Sequence, residues 1–143
     1  MLLTVSSNLI HRFNIIYIDR KYTISSGFKR YRGYYLGKLS NGNYGCTFRS
    51  SFSSEDNYLW QFRKTGNGLW YIENARGKLA VYSGRGGWGV VNSGHEERRD
   101  QKFKIRDLGG NLALIKSADG RKLAMNGPNR CSFGWWTTNY DQG

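Results

Sequence analysis

Residues 100–126, DQKFKIRDLGGNLALIKSADGRKLAMN, decide the fold. Phe103 and Ile105 alternate with Lys104 and Arg106, and Gly109-Gly110-Asn111 then breaks the run. A second alternating stretch carries Leu112 and Leu114, and Asp119-Gly120 turns the chain into the short apolar stretch Leu123 to Met125. Period-two alternation punctuated by glycine turns predicts β-hairpins. The same parts recur in residues 59–82, LWQFRKTGNGLWYIENARGKLAVY. Phe62 stands for Phe103, Gly66-Asn67-Gly68 for the first turn, Ile72 for Ile115, and Leu79-Ala80 for Leu123-Ala124. The corresponding offsets are 41, 43 and 44 positions, and Leu36 lies 43 before Leu79.

A repeat of about 40 residues with four short strands fits either a propeller blade or a closed β repeat. The 143 residues hold three such units, whereas a propeller needs about four to eight blades. Three units of this kind resemble the β-trefoil, the fold shared by ricin-type lectin domains, fascin domains and fibroblast growth factors. The resemblance implies an all-β chain, one domain over residues 1–143, with repeats at 27–68, 69–111 and 112–143. Residues 11–26, HRFNIIYIDRKYTISS, match DQKFKIRDLGGNLALIKS, with Phe13 on Phe103, Ile15 on Ile105 and Ile24 near Leu114. The third repeat stops at Asn139 to Gly143, short of its closing strand. These residues predict a permuted closure, in which Phe13 to Ile18 supplies that strand and pairs beside residues 135–140.

The bulk numbers agree with a β-rich single domain. A chain of 143 residues can bury a sizeable core. Its 19 Gly, single Pro and 15% aromatic content favour short strands and many turns. Cys46 and Cys131 belong to no metal or redox spacing and are expected as buried thiols. The first ten residues, MLLTVSSNLI, lack a positive n-region and are too short to span a membrane, so a soluble, cytoplasmic protein is expected.

Lys and Arg number 22 against 10 Asp and Glu, a formal charge of +12, which predicts attraction to polyanions at low salt. Between Arg12 and Lys38 the basic residues include Arg20, Lys21, Lys29, Arg30, Arg32 and Lys38, interleaved with aromatics. That pattern is open to two readings, a polyanion site or a solvated basic edge that discourages strand addition. Tyr31, Tyr34 and Tyr35 cannot all be surface platforms, because alternate strand residues face the core.

Two tryptophan neighbourhoods are the candidate carbohydrate sites. Trp88 stands in a glycine-flanked turn near Asn92. Trp135 and Trp136 are adjacent near Asn139, so on a strand one ring faces inward and the other outward. An outward indole offers its face to sugar C–H groups and keeps a donor at its edge. The alternative is that both rings cap the open end of a barrel. His95-Glu96-Glu97 has no second ligand at metal spacing and reads as a solvated loop. With no nucleophile elbow, phosphate loop or opposed carboxylates, no catalytic residue, metal or cofactor is expected.

DNYLWQF (Asp56 to Phe62) and RDQKFKI (Arg99 to Ile105) resemble the Gln-x-Trp neighbourhood of ricin-type lectins, which implies a core role for the aromatic. In that family the apolar strand after the Gly-Lys turn usually carries a sugar-binding aspartate. The matching places here are Gly37, Ala80 and Ala124, so the family's galactose site is not carried over. The Gly-Lys-Leu-Ala pattern at Gly77 to Ala80, and its counterpart at Gly120 to Ala124, is closer to fascin-like domains, which implies actin binding, and to growth factors, which implies heparin binding. The sequence thus predicts a non-enzymatic, lectin-like module with shallow repeat-related glycan sites; the alternative partners are actin or a sulfated polyanion.

Overall fold

The alternating stretches are strands in a computed structural model of the chain, which describes residues 3–6, 20–26, 34–38, 46–82, 88–92, 101–109, 112–125 and 131–134. The chain is all-β. Among these residues twelve strands occur: β1 (Leu3–Ser6), β2 (Thr23–Ser26), β3 (Tyr35–Lys38), β4 (Cys46–Arg49), β5 (Gln61–Lys64), β6 (Trp70–Asn74), β7 (Gly77–Tyr82), β8 (Trp88–Asn92), β9 (Phe103–Gly109), β10 (Leu112–Ser117), β11 (Lys122–Met125) and β12 (Cys131–Gly134). One short 3-10 turn, Glu55–Asn57, precedes β5.

Every pairing between these strands is antiparallel, and the pairings recur in a fixed succession. Strand β6 lies between β5 and β9 and continues into the hairpin β7–β8. Strand β10 lies between β9 and β1 and continues into β11–β12. Strand β2 pairs with β1 and continues into β3–β4, while Tyr22, just before it, bridges Trp60, just before β5. Two backbone hydrogen bonds make that bridge, Tyr22 N–H to the Trp60 carbonyl at 2.7 Å and Trp60 N–H to the Tyr22 carbonyl at 2.8 Å. Strand β12 meets β8 through Ser132 and Trp88, and β4 packs near both.

The register explains the sequence offsets. Leu36 stands opposite Phe48, Leu79 opposite Val91, and Leu123 opposite Phe133, so the three leucines occupy the same place in β3–β4, β7–β8 and β11–β12. All three are fully buried, and burying a leucine side chain is worth about 1.5–3 kcal/mol. Phe62 and Phe103 join them in one core. Tyr22 packs edge-on to Phe62 at 5.5 Å, and Phe103 stacks on Phe133 at 5.3 Å. Cys131 is fully buried, as expected; the side chain of Cys46 is not described.

The turns are as the glycines indicate. Gly68 takes a φ of 76° inside the loop closed by Thr65 N–H to the Leu69 carbonyl at 2.7 Å. Gly120 takes a φ of 98° between β10 and β11, a region open to glycine without Cβ strain. There Ser117 N–H donates to the Arg121 carbonyl, and the Ser117 hydroxyl donates to Asp119. Partial burial pulls the Asp119 carboxyl upward. The hydrogen bonds from Ser117 and Arg121 and the Arg121 charge outweigh that and hold it below its ordinary value.

One strand goes beyond the sequence expectation. The described strand in register with β2 is Leu3–Ser6, upstream of Phe13, with Val5 opposite Ile24. Leu3 and Val5 alternate over only four residues, too few to stand out from any short apolar run. The expected pairing of Phe13 to Ile18 with residues 135–140 lies outside the described residues.

Two measurements check these assignments. Trp60→Phe removes the indole N–H that donates to the Leu36 carbonyl at 2.8 Å, and should cost about 1–3 kcal/mol in denaturant unfolding; unchanged stability would contradict the bond. Because its folded-state pKa is lowered, Asp119 contributes stability that is present above its unfolded value of about 3.8 and is lost as pH falls through the folded one. Asp119→Asn should therefore be less stable than wild type at neutral pH, with the gap closing below about pH 3.8.

Candidate functional site

The connection from β4 to β5 is ten or so residues of mixed serine, aromatic and acidic character, SSFSSEDNYL. Such a loop needs anchors if it is to hold one shape. The first anchor is a ring over a glycine: Phe52 lies so close above Gly37 of β3 that a Cβ there would collide with its ring carbons. The second is the 3-10 turn, capped by the Ser54 hydroxyl, which accepts from Asp56 N–H at 3.2 Å. The third is Asn57, 4% exposed. Its side-chain oxygen accepts from Arg76 Nε at 2.9 Å and its carbonyl accepts from Asn74 Nδ2 at 3.2 Å, which ties the loop to the β6–β7 turn.

Held in this way, the loop forms one wall of an open cleft of about 410 Å³. Its described lining is Thr23, Tyr35, Ser50, Ser51, Phe52, Glu55, Tyr58 and Leu59. Phe52 and Tyr58 stack with ring centres 5.8 Å apart and an interplanar angle of 20°, and Tyr35 joins Tyr58 at 6.1 Å. All three rings are half-buried, while Ser50, Ser51 and Glu55 are exposed around them. An apolar aromatic floor with hydroxyl and carboxylate groups at its rim can take a ligand with an apolar face and a hydroxylated edge. Three serine and threonine hydroxyls and two phenols offer donors as well as acceptors, and Glu55 accepts.

The residues expected to form sites are placed as follows. Trp88 begins β8, in register with Tyr82 of β7 and Ser132 of β12, and Asn92 ends it opposite Lys78. The side chains of both are not described. Trp135, Trp136 and Asn139 lie outside the described residues, as do Lys29, Arg30 and Arg32. Of the remaining basic residues, Lys21 is exposed and Arg20 and Lys38 are half-buried. Gly37, Ala80 and Ala124 do share one register place, opposite Thr47, Val90 and Ser132. At Gly37 the space an aspartate would need is taken by the Phe52 ring.

Sequence reading passed over Phe52, Tyr58 and Glu55. Their signal was two aromatic residues in a polar loop, together with a glycine where the other two hairpins carry alanine. No group of three or more His, Cys, Asp or Glu side chains gathers among the described residues, and no helix among them is long and apolar enough to cross a membrane. Comparison with protein-family models finds no match, and no curated protein matches the chain.

Gly37→Ala should force Phe52 off its seat. Overpacking of this kind costs about 1–3 kcal/mol, and a shift in the urea midpoint with an unchanged m-value would register it. A Gly37→Ala protein as stable as wild type would show that the ring is not held there.

Proposed function

We propose that the chain is a β-trefoil carbohydrate-binding module, non-enzymatic, with the Tyr35–Phe52–Tyr58 cleft as one of its sugar sites. The observation that carries this is the stacked aromatic pair bordered by Thr23, Ser50, Ser51 and Glu55. A pyranose has the same division, with C–H groups on one face and hydroxyls around its edge, and ring stacking plus edge hydrogen bonds is how an open cleft holds it. The trefoil reading is supported by the recurring succession of strand pairs and by the shared register of Leu36, Leu79 and Leu123.

The same reading gives the tryptophans a role. The cleft loop follows β4, and the stretches following β8 and β12 are its topological counterparts. Counting from Cys46 and Cys131, which open β4 and β12 opposite Lys38 and Met125, Trp135 and Trp136 correspond to Ser50 and Ser51 of the cleft. Trp136 and Asn139 are thus proposed as parts of a second, related site, and Asn92, which ends β8, as the edge of a third; Trp88 opens that strand and lies at its other end. Several weak sites on one module raise avidity for a multivalent glycan. The +12 charge favours a second reading, a salt-sensitive polyanion or actin binder working through Arg20, Lys21, Lys29, Arg30, Arg32 and Lys38.

A glycan array run at low and high salt separates the two. The module should retain a neutral sugar at high salt, and Tyr58→Ala should weaken that binding by about tenfold, equivalent to about 1.4 kcal/mol, with the fold intact. Trp136→Ala should lower it further. Binding confined to sulfated chains and lost at high salt would transfer the function to the basic surface.

A further inference from the structure

Aromatic rings of this chain meet charge in two different ways. On β5 and β6 the chain supplies the cations itself: the Arg63 guanidinium lies 4.6 Å from the centre of the Tyr71 ring, and Lys64 Nζ lies 5.6 Å from that of Trp70. A cation within about 6 Å of a ring centre is drawn to the negative face of the ring. With 22 Lys and Arg in the sequence, such pairing is easily met. At the cleft it does not occur. No described Lys or Arg stands over Tyr35, Phe52 or Tyr58, whose ring contacts are with one another.

In place of a cation the cleft has an acid. Glu55 is the one charged side chain among its described lining residues, and Asp56 follows it in the 3-10 turn. Both are exposed. Glu73 and Asp119 carry their own counter-ions, Arg63 at 2.9 Å with Lys78 at 3.8 Å for the first and Arg121 at 3.0 Å for the second. No described cation pairs with Glu55 or Asp56. The Glu55 carbonyl accepts from Tyr58 N–H at 3.1 Å and from Leu59 N–H at 3.0 Å, so one turn sets the acid and the Tyr58 ring side by side on the wall of the cleft. Ring faces and a carboxylate both favour positive charge.

We propose that the cleft selects an amino sugar, in which a protonated amine stands where a neutral sugar has a hydroxyl, with Glu55 as the counter-ion and the Phe52–Tyr58 pair as the platform. This rests on the sugar reading of the cleft and adds to it the charge of the ligand. The C–H face of the pyranose lies on the rings, while the ammonium donates to the carboxylate and to the hydroxyls of Ser50 and Ser51. The volume of about 410 Å³ is near the lower end of the about 300–1,000 Å³ of small-molecule sites, which suits a short saccharide. The net charge of +12 opposes such a ligand from afar. At physiological salt that field is screened beyond about 8 Å, and the adjacent carboxylate decides.

The test is an amide NMR titration of the full chain, at about 0.15 M salt and slightly acidic pH so that the amine carries its proton, with glucosamine and galactosamine, with glucose and galactose, and with tetramethylammonium. The better amino sugar should bind about five- to tenfold more tightly than its neutral counterpart, with shifts at Phe52, Glu55 and Tyr58. Glu55→Gln, which keeps the size and an acceptor oxygen, should remove that preference and leave the affinity for the neutral sugar unchanged, which also reports that the fold is intact. A neutral sugar bound at the cleft with no gain from the amine, or a gain that survives Glu55→Gln, would overturn the amine preference and leave the sugar site standing. No shift at the cleft with any of the sugars would overturn both. Tetramethylammonium binding more tightly than either amino sugar would overturn the sugar ligand and make the cleft a site for a methylated amine.

Discussion

Trp60 is the side chain on which the arrangement turns. Its backbone exchanges two hydrogen bonds with Tyr22, its indole N–H donates to the carbonyl of Leu36, and its ring is fully buried. One residue thereby fixes the approach to β2, the position of β3 and the start of β5. A buried indole must find an acceptor, and the acceptor here belongs to the strand that carries Gly37. The cleft loop, which begins at the end of β4 and ends at Trp60, is thus stretched between two places that Trp60 itself determines.

From this constraint the site follows. The outer end of the Phe52 ring can reach β3 because Gly37 offers no Cβ, and Tyr58 can stack on Phe52 because the 3-10 turn, pinned through Asn57 to Arg76 and Asn74, returns the chain at the required distance. Anchoring of this sort lowers the ordering cost of binding. The irregular loop carries the cleft while the regular hairpins contribute three buried leucines at one register place to the core.

Much of the strand pattern was legible in the sequence, and the reason is local. Alternation and glycine turns report on neighbours close in the chain, so Leu79 and Leu123 could be matched by offset, and Gly37, Ala80 and Ala124 fell at one register place as their spacing indicated. The match of Phe62 to Phe103 was two residues out, because Phe62 stands opposite Ile72 and it is Ile105 that stands opposite Ile115. Leu3–Ser6 was missed because four residues of strand carry too little periodicity to distinguish them from any short apolar run. The cleft was missed for another reason. Tyr35, Phe52 and Tyr58 meet through tertiary packing that no period encodes, and attention goes naturally to tryptophan, the larger ring. The exchange of Glu73 for Lys116 lies between these cases, since the 43-position offset that aligns Ile72 with Ile115 also aligns these two residues.

The most direct test of the account is a two-dimensional amide NMR titration with the neutral oligosaccharide that binds best on an array. The account predicts that the largest shifts cluster at Thr23, Tyr35, Ser50, Ser51, Phe52, Tyr58 and Leu59, with smaller ones in the stretches after β8 and β12. Shifts confined to the lysines of β9 to β11, or saturation without any change around Phe52 and Tyr58, would contradict it.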